Sequence, residues 1–195
     1  MHTAEFDVAT ECCRRANILD SNIKTIVGGI HPTMYPQECL KTGVVDFVVR
    51  GEGEISFPKL IEDPEKFPSS FWGEAPDLNT IPFPDRDLWL DYKRRIQFPF
   101  FLTLKDPFIP PMIEMLTKRG CPWQCRFCCG PGEQNLYTME KNGRRIPNIR
   151  QRSVSNVMEE LIQLYDRYKF RSIVFHDDQF VIDPDWAQEF CEAMG

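Results

Sequence analysis

Three thiols crowd into Gly120-Cys121-Pro122-Trp123-Gln124-Cys125-Arg126-Phe127-Cys128, at C-x3-C-x2-C spacing. A closed structural zinc site takes four ligands, and iron–sulfur clusters are usually held by four thiolates. Three ligands on one short loop imply a cluster with one iron left open, and an open coordination position is where a reacting molecule binds. Two other readings compete. A disulfide framework suits short secreted domains with a signal peptide, whereas this chain has 195 residues and no apolar leader. Zinc would need Cys129 or a distant His as fourth ligand, and no second C-x2-4-C unit or H-x3-5-H pair accompanies the trio. Cys12, Cys13, Cys39, Cys129 and Cys191 have no ligand spacing and read as small buried hydrophobes or surface thiols.

Further chemistry sits at expected strand ends. Ser172 to Phe175 reads as a strand and runs into His176-Asp177-Asp178-Gln179. Paired carboxylates there accept hydrogen bonds from an amine or from ribose hydroxyls; they equally serve as a helix-entry cluster. His176 is open to structural or functional use. Gly28-Gly29 and Gly51-Glu52-Gly53 follow two more short apolar runs. Glycines at a strand end let the backbone approach a flat or phosphate-bearing ligand closely. Either pair alone is also explained by a plain turn.

The elements that must position these residues alternate. Residues 3 to about 20 predict an amphipathic helix with Val8, Ala9, Cys12, Cys13, Ala16 and Leu19 on its apolar stripe. Ile23 to Val27 and Val44 to Val49 read as short buried strands, with helices over 36–42 and 54–62. Met112 to Leu116 predicts a strand leading into the cysteine loop. Residues 130–150 read as a polar insertion rich in Gly, Pro, Asn and Arg. Residues 154–169 carry the strongest helical pattern, with Ser153 or Ser155 as cap. Asp183-Pro184 opens a last helix through Trp186, Ala187, Phe190 and Met194. Strands alternating with helices at these lengths argue for a parallel α/β fold. In such folds ligands sit at the C-terminal strand edge.

Residues 63–111 differ. Prolines recur throughout, and proline breaks both helices and ladders. The stretch reads as an extended connector anchored by Phe83, Trp89 and Phe101. Net charge is −6 with no basic stripe, so no nucleic-acid partner is expected. No run of about 18 apolar residues occurs, so no membrane span is expected. Reduced thiols and an oxygen-sensitive cluster fit a cytoplasmic setting.

The cysteine spacing, with aromatic Phe127 before the last Cys, resembles the signature of radical S-adenosylmethionine (SAM) enzymes. Ile173 to Phe180, with its Asp177-Asp178-x-Phe180 segment, resembles the second strand of those members that also bind cobalamin. Arg150-Gln151-Arg152-Ser153-Val154, followed by Glu159 and Glu160, is similar to the same subgroup. Val27 to Thr33 and Val45 to Glu54 resemble the later part of a Rossmann-like cobalamin-binding domain.

The resemblance implies an α/β chain in three parts. Residues 1–62 would be the C-terminal part of the cobalamin-binding domain, 63–111 the Pro-rich connector, and 112–195 the first βα units of a partial TIM barrel. It implies a 4Fe–4S cluster on Cys121, Cys125 and Cys128, with SAM on the open iron and Phe127, Asp177 and Asp178 near SAM. Gly28, Gly29, His31, Gly51 and Gly53 would line the nucleotide tail of cobalamin. Reductive cleavage of SAM, fed by a flavodoxin or ferredoxin, would give a 5′-deoxyadenosyl radical for methyl transfer or rearrangement on a small-molecule or peptide substrate. No side chain beyond these is assigned a catalytic role. The family's D-x-H-x-x-G loop is absent, and a full barrel takes about 250 residues, so a fragment of a longer enzyme is expected. The alternative is a non-catalytic iron–sulfur or zinc module.

Overall fold

The computed structural model describes residues 1–87, 112–140, 143 and 149–195. They fall into two compact units, Met1–Asp77 with Pro122–Asn148, and Leu78–Cys121 with Ile149–Gly195.

The first unit is built on three short parallel strands, β1 (Ile26–Gly28), β2 (Phe47–Arg50) and β3 (Ser70–Trp72), in that spatial order. Ile26 pairs with Phe47, and Val48 with Ser70. Helices α1 (Phe6–Leu19), α2 (Ile30–Met34), α3 (Pro36–Lys41), α4 (Ser56–Glu62) and α5 (Cys129–Glu140) complete it. The β-branched run of β2 explains its central place: Val48 and Val49 are buried, with Cys39 of α3 and Leu60 of α4. Fully burying Val48 and Leu60 contributes roughly 1.5–3 kcal/mol apiece. Asp46 pins the strand starts together, accepting from Thr25 N and Thr25 Oγ1, both at 2.8 Å. Burial works to raise the Asp46 pKa, but these hydrogen bonds outweigh it and hold the carboxyl below its ordinary range.

Three features of this unit depart from the sequence-based expectation. The stripe of α1 is rotated: Thr10 is buried and Ala9, Cys13 and Ala16 are partly covered, while Val8, Cys12 and Leu19 are exposed. The Pro-rich stretch contributes a strand, because Ser70-Phe71-Trp72 falls between its prolines and can still pair with β2. Residues 129–140 form a helix rather than a polar insertion. Gly130, Pro131 and Gly132 all lie in its first turn, where proline leaves no bond unmade. Trp89 and Phe101 lie outside the described residues.

In the second unit β4 (Met112–Met115) pairs in parallel with β7 (Ser172–Phe175), and β5 (Lys118–Arg119) pairs antiparallel with β6 (Arg150–Gln151). Helices α6 (Val154–Tyr168) and α7 (Pro184–Met194) cover them. Both helices start as their sequences dictate. Ser153 Oγ accepts from Asn156 N at 3.2 Å, and Asp183 Oδ1 accepts from Trp186 N at 3.2 Å ahead of Pro184. Lys169, at φ 48°, ends α6 in the left-handed region. The core gathers Met115, Val154, Val157, Leu161, Trp186 and Phe190, with Phe175 and Phe180 against it. Glu160 is 2% exposed and lies between Arg86 (2.8 Å) and Arg152 (2.6 Å).

The units divide at residues 77, 121 and 148. Side chains bind distant segments within each unit. Glu140 of α5 is paired with Arg50 of β2, and Asn79 Oδ1 accepts from Ser153 N at 2.7 Å. Among the described residues no helix is long and apolar enough to cross a membrane.

Candidate functional site

In the first unit, β1 and β2 end side by side, β1 at Gly28 ahead of Gly29 and β2 just ahead of Gly51. A cavity of about 160 Å³ opens there, lined by Gly28, Gly29, Gly51, Gly53, Ile26, Val27, Val49 and Phe57. Ligand-sized sites run to about 300–1,000 Å³, so this cavity is small beside them. Two of the glycines, Gly28 and Gly51, are tightly constrained. A methyl on Gly28 would stand 3.1 Å from Val49 O, and Gly51 sits at φ 68° with the Trp72 ring 3.2 Å from where its Cβ would be.

The two strand ends are tied by one side chain. Thr33, 1% exposed, donates from Oγ1 to Gly29 O (2.8 Å) and accepts on the same oxygen from Gly51 N (2.9 Å). A second brace runs from β3. Gly73 N donates to Arg50 O at 2.8 Å, and any side chain at Gly73 would collide with the backbone of Glu52. His31 does not line the cavity. It is 3% exposed, packed between Phe6 (4.7 Å) and Tyr35 (5.4 Å), with Nδ1 3.2 Å from Thr3 Oγ1.

The cysteine loop runs without helix or strand from Cys121 to Cys128, and Cys129 starts α5. Cys121 falls in the second unit; Cys125 and Cys128 fall in the first. All three are free thiols, Cys125 and Cys128 exposed, and the turn is marked by Cys128 N donating to Cys125 O at 3.1 Å. Among the described residues no three His, Cys, Asp or Glu side chains are gathered as a metal site. The donor set nonetheless fits an iron–sulfur cluster chemically: three free, soft thiols with no disulfide among them. The Phe127 ring is 93% exposed.

The helix after the loop is held firmly. Arg50, 7% exposed, makes a bidentate pair with Glu140 (2.5 and 2.9 Å) and stands 4.2 Å over the Trp72 ring. Trp72 Nε1 donates to Glu140 Oε2 at 2.8 Å. In the same helix, burial alone pushes the Glu133 carboxyl above its ordinary range.

In the second unit the strand-end carboxylates part company. Asp177 accepts from Thr117 N (2.8 Å), Thr117 Oγ1 (3.1 Å) and Lys118 N. It thereby joins the end of β7 to the turn between β4 and β5. Asp178 and His176 are exposed, with His176 Nε2 3.5 Å from Glu114 Oε2. Lys118 is 3% exposed; Nζ donates to Phe180 O and lies 3.9 Å from the Trp186 ring centroid. Desolvation lowers its pKa, opposed by Asp177 and Asp183.

Sequence reading missed Thr33, Trp72, Glu140 and Lys118. Thr33 and Arg50 did sit inside the resembling segments, and a small hydroxyl between two glycine pairs is a usable signal. The bond from residue 50 to residue 140 has no local signature.

Residues 1–61 match the B12 binding domain family. Over 93% of its length the chain is 27% identical to an uncharacterized methyltransferase of Pyrococcus horikoshii. It is 26% identical, over 92%, to the cytidylyl-2-hydroxyethylphosphonate methyltransferase of Streptomyces wedmorensis. It is 32% identical, over 87%, to the hopanoid C-3 methylase of Methylococcus capsulatus. The chain covers 39%, 38% and 31% of those three proteins respectively. No solved structure matches.

Proposed function

We propose that this chain, whose residues 1–61 belong to the B12 binding domain family, is the cofactor-binding part of a cobalamin-dependent radical SAM methyltransferase. One observation carries the reading: a single chain joins a B12 domain match to three free cysteines at C-x3-C-x2-C spacing directly ahead of a helix. The names of the relatives include both methyltransferases and magnesium-protoporphyrin IX monomethyl ester cyclases, and the methyltransferases outnumber the cyclases, which favours methyl transfer.

When bound, the 4Fe–4S cluster with SAM supplies reductive cleavage of a sulfonium C–S bond, and cobalamin supplies methyl relay. The chain's own residues hold and orient. Cys121, Cys125 and Cys128 would hold the cluster, which would also take SAM as a ligand. Phe127 and Asp178, exposed near that loop and strand in sequence, are the side chains left to contact SAM. Asp177 positions the β4–β5 turn. Gly28, Gly29, Gly51 and Gly53 would line the nucleotide tail of cobalamin, with the Met1 ammonium, which donates to Gly28 O at 2.8 Å, beside it. His31 supports α2 from within. On this reading residues 112–195 are the first strand–helix units of a partial barrel.

The test is anaerobic reconstitution of the 195-residue chain with iron and sulfide. The expected result is a brown protein whose reduced-cluster EPR signal changes on adding SAM, and which loses iron when any of the three cysteines is replaced by Ala. Tight zinc binding in place of a cluster, or a cluster indifferent to SAM, overturns the reading.

A further inference from the structure

The ion pair between β2 and α5 joins the two cofactor-binding segments of the first unit. α5 begins at Cys129, the residue after the last proposed ligand, so wherever α5 is fixed the end of the cysteine loop is fixed too. What fixes it is a knot of three side chains. Arg50 is buried and held from behind by its Nε bond to Thr33 O at 3.1 Å. Its two terminal nitrogens take both oxygens of Glu140. Trp72 adds a third donor to the same carboxylate, places its ring under the guanidinium, and packs against Gly51 at the rim of the glycine cavity. Bidentate pairing fixes direction as well as distance. The start of the helix is seated as well: the place of a Gly132 Cβ is 3.3 Å from Met34 Cε of α2.

We infer that Glu140 is a positioning residue: through Arg50 and Trp72 it docks α5, and with it Cys125 and Cys128, against the rim of the glycine-edged cavity. Thr33 extends the connection, because the side chain that ties the two glycine ends also offers its carbonyl to Arg50. The importance of the placement rests on the cobalamin and radical SAM reading; the docking itself does not.

The experiment uses the whole chain, reduced and metal-free, comparing Glu140→Gln, Trp72→Phe and the unsubstituted protein. Amide hydrogen exchange is read along residues 129–140, and alkylation by iodoacetamide is read cysteine by cysteine. Glu140→Gln should speed exchange in α5 roughly ten- to hundred-fold, the range for losing charge-assisted hydrogen bonds. Cys39, buried in the same unit, should stay as protected from alkylation as in the unsubstituted chain. Trp72→Phe keeps the ring and removes one donor, so it should give a smaller effect of the same kind. Faster alkylation of Cys39 means general loosening and overturns the inference. Unchanged exchange in α5 overturns it too. A third arm adds cyanocobalamin to the unsubstituted chain and follows quenching of tryptophan fluorescence. Failure there counts against the cobalamin reading while the exchange result still decides the docking.

Discussion

The two units end their parallel strands in opposite ways. In the first, β1 ends in Gly28 and β2 runs on into Gly51, and the polar work is handed to neighbours: Thr33 bridges Gly29 and Gly51, and the Met1 ammonium donates to Gly28 O at 2.8 Å. In the second, β7 finishes in a carboxylate, and Asp177 folds back onto the backbone of Thr117 and Lys118. A strand end at glycine lets another group approach the backbone closely. A charged one satisfies orphaned amides next door, and its charge is spent on the fold. The same contrast runs through the interiors. The first unit buries small aliphatics and neutral hydroxyls around one arginine, while the second buries an aromatic cluster beside a fully enclosed glutamate.

That enclosed glutamate gives the largest expected effect. Removing one partner of a buried ion pair leaves the others uncompensated and costs about 3–5 kcal/mol. Glu160→Ala strands both Arg86 and Arg152, so urea unfolding of the chain should show a loss of that size in the transition of the second unit. A loss below about 1 kcal/mol would mean the pair is solvated, and the contrast between the two interiors would fall.

Asp177 sharpens the contrast at the strand ends. If its charge is committed to the fold, Asp177→Ala should destabilise the second unit by about 1.5–3 kcal/mol, the range for hydrogen bonds to a charged group. Asp178→Ala, at an exposed neighbour, should stay within about 0.5 kcal/mol. Should Asp178 prove the costlier of the two by denaturant midpoint, the division of labour drawn here is reversed.

Much of this was legible beforehand, and the reasons are physical. α6 and α7 announce themselves because fifteen- and eleven-residue helices give the apolar repeat room to recur and carry Ser153 and Asp183-Pro184 as start signals. β2 is a β-branched run between turn signals. β3 is three residues long, too short for any period, and only its partner β2 makes it a strand. α5 hid because Gly130, Pro131 and Gly132 speak for a loop, whereas in a first turn they cost little. The glycine pairs were legible as strand-end features but not as more, since a plain turn explains either pair alone. That Asp177 would turn inward and Asp178 outward depends on where residue 117 lies, and no local pattern encodes a contact sixty residues away.

The smallest effect, and the one that separates the units by pH, comes from Glu133. Glu160 meets its burial with two guanidinium partners, whereas at Glu133 burial itself is the cause of the raised pKa. Its folded-state pKa therefore lies above the value in the unfolded chain. Between those two values the native protein binds more protons than the unfolded one, so stability falls as pH climbs through the window and stays lowered above it. Glu133→Gln removes the ionisation, and its advantage over the parent chain should grow from nothing below the ordinary carboxylate range to a plateau near neutrality. Thermal midpoints of both chains measured across that range decide it. A difference that does not change with pH would show the carboxyl reaching water, and would make the burial of α5 against the first unit looser than Arg50 and Trp72 imply.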